Sequence, residues 1–393
     1  DIVPITSAPY VIDTVDPGRS ISLKRNKDYW GADLALRRGT NNFDEIKLEY
    51  FGDATVLFEA FKSGDIDLMR EGNAEKWDTR YDFPDMQDGT MTKSEIPHQR
   101  PTGMRGLVMN TRRDLFADWR VRQAMIEAFN FEYINDAQTG GRQDRIQSYF
   151  GNSILGMRDG PAADGVTKLL TPFVNTLPPD TIEGYRFPIS DGSERNRKNM
   201  RRAVTLLDQA GYRVVDGKLA DPAGDPVSFK ILLRQGAQEY LSIVELYMDA
   251  LSRLGISVEV DLVDGAQYAE RRKALDFDMT PFARSLSLSP GNEQRLYWGQ
   301  EYADVEGTRN LMGLNSPAMD ALINALNTAK TRQQFLDAVR AMDRVLTAGR
   351  YVIPIYHNGP SRIAHKSHLK FPSDTPIYGD RIGFFPDVWW SEE

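Results

Sequence analysis

The stretch that decides the fold class is 227–262, which reads VSFKILLRQGAQEYLSIVELYMDALSRLGISVEVDL. Residues 227–233 predict a strand, and residues 256–262 alternate apolar with polar side chains, which is typical of a half-buried strand. Strands and helices that alternate in this way favour an α/β or an α+β fold. Between the two strands, apolar residues at helical spacing predict a helix that ends at Gly255 and buries Leu241, Val244, Met248 and Leu251.

The same alternation of helices and strands continues on both sides of this stretch. Capping residues predict where helices begin: Asp53, Ser193, and Thr331, which forms a capping box with Gln334. Residues 140–191 carry many Gly, Pro and Asp residues with little periodicity, so they predict a long irregular segment. Further strands are predicted at 20–24, 46–50, 277–279 and 351–356.

Composition argues against several classes of protein. The 393 residues suggest two or three domains, and a content of 41% hydrophobic and 26% charged residues is ordinary for a globular chain. The formal net charge of −8 argues against a nucleic-acid-binding protein and against one held to anionic lipid by charge. No apolar run approaches the roughly 18 residues of a membrane span, so no stable membrane insertion is expected.

The sequence carries few of the motifs expected of an enzyme. It has no Cys, which removes disulfides, thiol nucleophiles and Cys metal sites. Glycine-rich phosphate motifs, dinucleotide motifs and nucleophile elbows are missing, so no cofactor is predicted. The pair His365 and His368 follows Pro360 in a β-rich context, which disfavours a helical metal site. Carboxylate pairs such as Asp65 with Asp67 leave a hydrolase open, but that mechanism needs two acids facing each other across a cleft.

Several blocks of sequence carry more information together, in their order along the chain, than any one carries alone. They are SAPYVI, DPGRSI and RNKDYWG within 7–31, ATVLFEAFKSGDIDLM at 54–69, NTRR and DWRVRQA within 110–124, the helix that ends in AG at 203–211, and PGNEQ, YWG and TRNL within 290–311. These blocks resemble, in the same order, those of the dipeptide- and oligopeptide-binding proteins, which are family 5 of the extracellular solute-binding proteins of ABC importers. The last blocks are similar to a subgroup that takes up longer peptides and peptide-like antibiotics.

The resemblance implies an α/β fold of the periplasmic binding protein type II, with two lobes joined by hinge strands. Lobe II with its hinge strands would then be 96–359, and residues 1–95 with 360–393 would belong to lobe I. The chain starts without Met or a signal peptide, and the family's first block lies well inside the mature protein. We therefore expect an N-terminally truncated chain whose near lobe is incomplete.

The resemblance also implies a function. The protein would be a periplasmic binding protein that captures peptides or peptide-like solutes by lobe closure and delivers them to the permease subunits of an ABC importer. It would need no catalysis, no cofactor and no metal. Three alternatives remain open: a sugar or a metal chelate bound by the same fold, a sensory or scaffold role, and a carboxylate-based hydrolase.

Ligand contacts are expected from the crossing strands and from loops that face the cleft. Family members that bind a free α-amine place an Asp four residues before a Pro, and the matching position before Pro290 is Leu286. Because Leu cannot pair with an ammonium group, this anchor is not expected here; Glu293 could replace it, or backbone hydrogen bonds could hold the ligand. The candidate contact residues are Arg100, Thr102, Met104, Arg105, Arg284, Ser285, Asn292, Glu293 and Trp298.

Overall fold

A computed structural model describes residues 5–357, 359–381 and 383–392. The chain divides into two compact units. The first unit is Asp1–Gln99 with Asn358–Glu393, and the second unit is Arg100–His357. The assignment of these units to lobe I and lobe II stays a prediction. Within the described residues, none of the helices is both long and apolar enough to cross a bilayer.

The first part of the first unit contains an antiparallel three-stranded sheet followed by a helical segment. The predicted cap at Asp53 is confirmed, because its carboxylate accepts hydrogen bonds from the backbone N–H groups of Thr55 and Val56. The elements are β1 (Tyr10–Asp16), β2 (Ser20–Arg25), a 3-10 turn (Ala35–Arg37), β3 (Glu45–Glu49), α1 (Ala54–Lys62), β4 (Leu68–Glu71), α2 (Ala74–Thr79), α3 (Pro84–Gln87) and β5 (Met91–Ile96).

The second unit is built on a five-stranded mixed sheet in the order β10-β9-β11-β6-β12. Strand β9 is parallel to β10 and to β11, whereas β6 is antiparallel to β11 and β12. The elements are β6 (Met104–Met109), α4 (Asp114–Ala117), α5 (Trp119–Ala128), α6 (Phe131–Thr139), α7 (Asp164–Leu170), a 3-10 turn (Thr171–Phe173), α8 (Arg197–Gln209), β7 (Arg213–Val215), β8 (Lys218–Ala220), β9 (Ser228–Arg234), α9 (Gln238–Ser252), β10 (Ser257–Val263), α10 (Gly265–Lys273), β11 (Met279–Arg284), α11 (Glu293–Trp298), a 3-10 turn (Gln300–Tyr302), α12 (Pro317–Thr328), α13 (Arg332–Ala348) and β12 (Val352–Pro354).

Two hydrophobic cores cover the two faces of this sheet. Leu107 and Met109 on β6 lie in one core, and Val108 between them lies in the other, because successive side chains of a strand point to opposite faces. Helices α5, α6, α8 and α9 pack on the first face, and α7, α12 and α13 pack on the second. Since both faces are buried, a ligand can reach the sheet only where its strands end.

The C-terminal segment completes the first unit. It contributes β13 (Ser361–Lys366), β14 (Leu369–Lys370) and β15 (Trp390–Ser391). Strand β13 lies between β4 and β5 and is antiparallel to both. The central strand of this sheet therefore comes from the end of the chain. Phe61 and Trp77 are buried in one core of this unit, and Ile363 and Trp389 are buried in another.

The structure corrects several boundaries. Ser193 does not cap a helix: its N–H and hydroxyl donate to Asp191, and α8 begins four residues later, after Asn196 in a left-handed conformation. Residues 140–191 contain α7 within the predicted irregular segment. The strand predicted at 277–279 begins at Met279 and continues to Arg284, and the strand predicted at 351–356 is shorter, Val352–Pro354. The capping box of Thr331 and Gln334 is confirmed.

Candidate functional site

One edge of the five-stranded sheet gathers most of the predicted contact residues. The parallel strands β10, β9 and β11 end at this edge, which we call the carboxyl edge. Strand β6 begins there, with Met104 paired to Arg284, and β12 ends there, with Pro354 opposite Gly106. In open α/β sheets, ligands bind outside the carboxyl ends of the strands. The carboxyl edge is therefore the candidate binding site of the second unit.

Two glycines allow the chain to enter this sheet at close range. Gly103 has φ of +66°, and a Cβ there would lie 2.1 Å from the carbonyl oxygen of Arg284. A Cβ on Gly106 would lie 1.9 Å from the carbonyl oxygen of Ile353. Larger residues would push β6 away from β11 and β12. Both glycines are therefore required by the backbone that supports the carboxyl edge.

Arg105, the second residue of β6, lies in a compensated cluster. Its guanidinium donates to the carboxylate of Glu239 in the first turn of α9, and that carboxylate also accepts a hydrogen bond from the hydroxyl of Tyr356. The guanidinium carbon lies 5.6 Å from the ring centre of Tyr240 and 5.8 Å from that of Tyr356. Burial disfavours the charge of Arg105, but Glu239, Tyr240 and Tyr356 together outweigh burial and raise the pKa of this group. We call these four residues the Arg105 cluster.

Arg284, the last residue of β11, lies in a different environment. Its guanidinium carbon lies 4.2 Å from the ring centre of Tyr297, and that of Arg309 lies 5.9 Å from the same ring. A nitrogen of Arg284 also donates to the backbone carbonyl of Arg309 at 3.2 Å. Burial lowers the pKa of Arg284, Tyr297 partly offsets this, and the positive charge of Arg309 lowers it further. We call these three residues the Arg284 cluster.

A loop of the second unit holds the segment that leads into β6. The N–H of Thr102 donates to the carbonyl of Gly151 at 2.9 Å, and its hydroxyl donates to the carbonyl of Ser148 at 2.9 Å. The amide of Asn152 donates to the carbonyl of Arg100 at 3.0 Å. Arg100 and Thr102 are thus positioned through their own backbone and hydroxyl groups. This arrangement ties the start of β6 to the loop.

One buried carboxylate organises that loop. Asp343 on α13 is completely buried and accepts hydrogen bonds from the backbone N–H groups of Tyr149 at 2.8 Å, Phe150 at 3.2 Å and Met157 at 2.8 Å. Burial raises the pKa of this carboxyl group, although the hydrogen bonds act in the opposite direction. Asp343 therefore supports the carboxyl edge from inside the unit.

The residues predicted on and before α11 have separate roles in the structure. The carboxylate of Glu293 accepts from the N–H of Gly291 at 2.9 and 3.0 Å and from the side-chain amide of Gln294 at 3.0 Å. Trp298 is fully buried, and its Nε1 donates to Gln294 Oε1 at 2.8 Å. Asn292 is exposed. Glu293 is thus occupied by local hydrogen bonds, and Trp298 is part of the core.

The structure brings together part of the predicted contact set. Thr102, Arg105, Arg284 and the exposed Ser285 lie at or next to the carboxyl edge. The side chain of Met104 lies there too, but it is buried in the core, as that of Trp298 is. In this conformation these two residues support the surface rather than form it. Ligand contact stays a prediction for the whole set.

Sequence reasoning missed several residues of this edge. Glu239 and Tyr240 follow the predicted strand at 227–233, and the rule that loops after parallel strands line the ligand site could have identified them. Tyr356 follows β12, and Arg309 comes to Tyr297 only through the folding of the segment after α11. Nothing in the local sequence shows that Asp343 anchors residues almost two hundred positions away.

The described residues contain no group of three or more His, Cys, Asp or Glu side chains that could hold a metal ion. His365 lies on β13 of the first unit, where its Nε2 is 3.0 Å from the hydroxyl oxygen of Ser94 and its ring packs against Trp389. Burial lowers the pKa of His365. Its environment is that of a packed core histidine.

Comparison with known proteins shows which family this chain resembles. The family model described as bacterial extracellular solute-binding proteins, family 5 Middle, matches residues 1–304. The chain is 43% identical over 388 residues, 98% of its length, to a protein of Brucella melitensis biotype 1 that is described as a binding protein. It is 37% identical over 389 residues, again 98% of its length, to the "Probable peptide-binding protein YejA" of Agrobacterium fabrum. The chain spans about 62% of the length of each of these relatives.

A solved structure shows the same fold. The oligopeptide-binding protein AppA from Bacillus subtilis, in complex with a nonapeptide, superposes on this chain with a TM-score of 0.71 at 18% sequence identity. The match covers 98% of this chain and 66% of that protein. This likeness confirms the predicted α/β architecture of the periplasmic binding protein type II.

Proposed function

Because the chain belongs to family 5 of the bacterial extracellular solute-binding proteins, we propose that it forms part of a periplasmic protein that captures peptides or peptide-like solutes for an ABC importer. The relative from Agrobacterium fabrum, 37% identical over nearly the whole chain, is named for peptide binding. The carboxyl edge of the second unit would supply ligand contacts.

The chemistry of that edge supports a peptide-like ligand. The edge presents two guanidinium groups and a phenol ring in the Arg284 cluster, at the end of a strand of a rigid sheet. Arginine binds carboxylate and carbonyl oxygens, and tyrosine offers a large contact area with a polar tip. A surface of this kind suits a polar chain that carries both amide groups and side chains. The arrangement of Arg284 at the end of β11 is the observation that carries the proposal.

Capture would involve the two units as the two lobes. The chain passes between the units twice, after Gln99 and after His357. In binding proteins of this architecture, a few residues in such connections absorb the backbone change of closure. We propose that ligand binding shifts the protein towards a closed form, which the permease subunits of the importer then bind. Lobe closure predicts a smaller radius of gyration with ligand, which small-angle X-ray scattering measures.

Thermal unfolding of the intact protein tests the ligand class. Pools of peptides of two to ten residues, a mannose oligosaccharide and an iron chelate would be compared at equal concentration. A peptide ligand well above its Kd should raise the midpoint by several degrees, because binding to the folded state stabilises it by mass action. A rise with the sugar or with the chelate, and with no peptide, would reject the peptide proposal.

The proposal also excludes chemistry on the ligand. Peptide incubated with the protein and then released by denaturation should be recovered at its original mass. Mass spectrometry of the released ligand checks this. A cleaved peptide, formed in proportion to the protein added, would favour the hydrolase alternative.

The cellular part of the proposal has its own test. The native protein should be found in the periplasmic fraction, and cells without its gene should take up less of the identified peptide. Uptake that is unchanged in the deletion strain would argue against delivery to a permease.

A further inference from the structure

The Arg284 cluster concentrates positive charge at the carboxyl edge. Two guanidinium groups contact one phenol ring, at 4.2 Å for Arg284 and 5.9 Å for Arg309. Within the part of the chain that the structure describes, neither arginine forms an ion pair with a carboxylate. The Nε of Arg284 is buried and has no hydrogen-bond partner there. Like charges brought together in this way cost free energy unless an anion lies between them.

The acidic residues nearest in sequence are engaged elsewhere. Glu293 accepts from Gly291 and Gln294. Asp304 lies 3.4 Å from a guanidinium nitrogen of Arg112. Glu306 lies 3.5 Å from the ammonium of Lys273. No carboxylate of the described residues is therefore placed to neutralise the two arginines by an ion pair.

We propose that Arg284 and Arg309 bind a carboxylate of the ligand, so that this protein selects peptides by an anionic group. This inference rests on the proposed function, because it concerns the same ligand. A guanidinium donates two parallel hydrogen bonds to a carboxylate, and the pair is stronger than a neutral hydrogen bond. Tyr297 holds both guanidinium groups in place, which reduces the entropy that binding would otherwise cost.

Leu286, two positions beyond Arg284, also favours an anionic group of the ligand at Arg284. Leu286 is half-buried and packs against the core of the second unit. It offers no charge to an ammonium group. The chain is thus positive at Arg284, where β11 ends, and apolar at Leu286. A ligand lying along it would place an anionic group, rather than its α-amine, at Arg284.

The charge of the chain as a whole does not favour an anionic ligand. The formal net charge is −8, so an anionic peptide gains nothing from the protein as a whole. Attraction must come from the local field of the two arginines. We expect this attraction to weaken as salt concentration rises, because partly exposed charges are screened.

Calorimetry on the intact protein with matched peptides tests the inference. Three versions of one bound peptide are needed: with a free C-terminal carboxylate, with a C-terminal amide, and with an internal Glu in place of Gln on the amide. Wild-type protein should bind one or both carboxylate versions at least about 10-fold more tightly than the neutral amide. The two anionic versions distinguish the C-terminal carboxylate from an acidic side chain.

Substitutions at the two arginines link this preference to the cluster. Arg284→Gln should remove most of the preference for the anionic peptide, and Arg309→Gln should remove part of it. Arg284→Lys should keep a smaller preference than the wild type, because Lys cannot form a bidentate pair with a carboxylate. Arg213→Gln is the matched control, since Arg213 is an exposed arginine of the same unit that pairs with Asp208 at 2.7 Å. It should leave the preference unchanged. Thermal unfolding of each variant checks that it is folded, and Arg309 is exposed enough that its substitution should not disturb the core.

The outcomes separate this inference from the proposed function. Equal affinity of the wild type for neutral and anionic peptides would overturn the inference and leave peptide binding intact. A preference that survives both substitutions would overturn it as well. Absence of binding for every peptide, with binding of a sugar or chelate, would overturn the proposed function and the inference with it.

Discussion

The Arg105 cluster and the Arg284 cluster lie at the same edge of one sheet, yet only the first contains a carboxylate that pairs with its arginine. Arg105 lies beside the carboxylate of Glu239, which also accepts from Tyr356. Arg284 shares the ring of Tyr297 with a second arginine and has no ion pair with a carboxylate of the described residues. The two arginines are the same residue type, and they lie within one residue of each other in distance from the edge.

The difference shows how to separate a structural charge from one that is available to a ligand. A guanidinium that is already paired has little to gain from an anion, because the pair would have to be broken first. A guanidinium packed on a ring keeps its hydrogen-bonding directions open. We therefore assign stability to the Arg105 cluster and recognition to the Arg284 cluster.

The largest effect should come from the support that both clusters share. Asp343→Ala removes the acceptor of three backbone N–H groups and leaves them buried. We expect the free energy of unfolding to fall by about 3 kcal/mol or more. Urea denaturation measures this. Asp208→Ala, at a side chain that is 63% exposed, is the control and should change little. An Asp343→Ala variant as stable as the control would contradict the role given to this carboxylate.

Substitution of Glu239 would remove the carboxylate of the Arg105 cluster and make it resemble the Arg284 cluster. Glu239→Ala leaves Arg105 without its carboxylate, and we expect a loss of about 1–2 kcal/mol in the free energy of unfolding. Glu239→Gln keeps an acceptor and should lose less. If neither variant were less stable than the wild type, charge compensation would not distinguish the clusters. Chemical denaturation at low and high salt measures both.

The pH dependence of the free energy of unfolding tests the environment of His357, the residue that follows Tyr356. Burial lowers the pKa of His357, with Asp144 acting in the opposite direction. The unfolded state, with a pKa of about 6.5, then takes up a proton more readily than the folded state. Stability should fall as the pH decreases through about 6.5, by at most about 1.4 kcal/mol per pH unit from this group. His357→Gln should reduce the difference in unfolding free energy between pH 7.5 and pH 5.5, and an unchanged difference would refute this assignment.

The smallest effect should come from the ring that the two open arginines share. Tyr297→Leu removes the aromatic face but keeps an apolar side chain. We expect a loss of about 0.5–1 kcal/mol in the free energy of unfolding, since cation–π contacts of partly exposed groups contribute about that much. Tyr240→Leu in the Arg105 cluster serves as the comparison, again by denaturation. A loss well above 2 kcal/mol for Tyr297→Leu would show that this ring is part of the core rather than a platform for the arginines.

Much of the architecture could be predicted from the sequence because its signals are local. The strand at 256–262 and the helix before it follow from the spacing of apolar residues. The caps at Asp53 and Thr331 follow from side chains that lie close in sequence to the N–H groups from which they accept hydrogen bonds. Ser193 does not cap a helix because its own N–H and hydroxyl donate to the carboxylate of Asp191, two residues earlier. Local rules of this kind hold until a competing local partner is present.

The candidate site could be predicted only in part. Arg105 and Arg284 were found through their place in the family's pattern, but sequence could not show that one is paired and the other is not. That distinction depends on Glu239, which follows a different strand, and on Arg309, which lies in a loop 25 residues beyond Arg284. Trp298 was predicted to contact ligand because it was expected in a loop that faces the cleft, whereas the packing of α11 places it in the core.

By itself, the sequence determined the alternation of strands and helices, the caps, the lack of thiol chemistry and the family, because these depend on residue order and residue type alone. Tertiary structure decided which side chains share the carboxyl edge and which charges are compensated there. The physical reason is that pairing is a property of distances in space. Segments that are far apart in sequence become neighbours in the folded chain: the first turn of α9 places a carboxylate beside Arg105, and the segment after α11 places a second arginine beside Arg284.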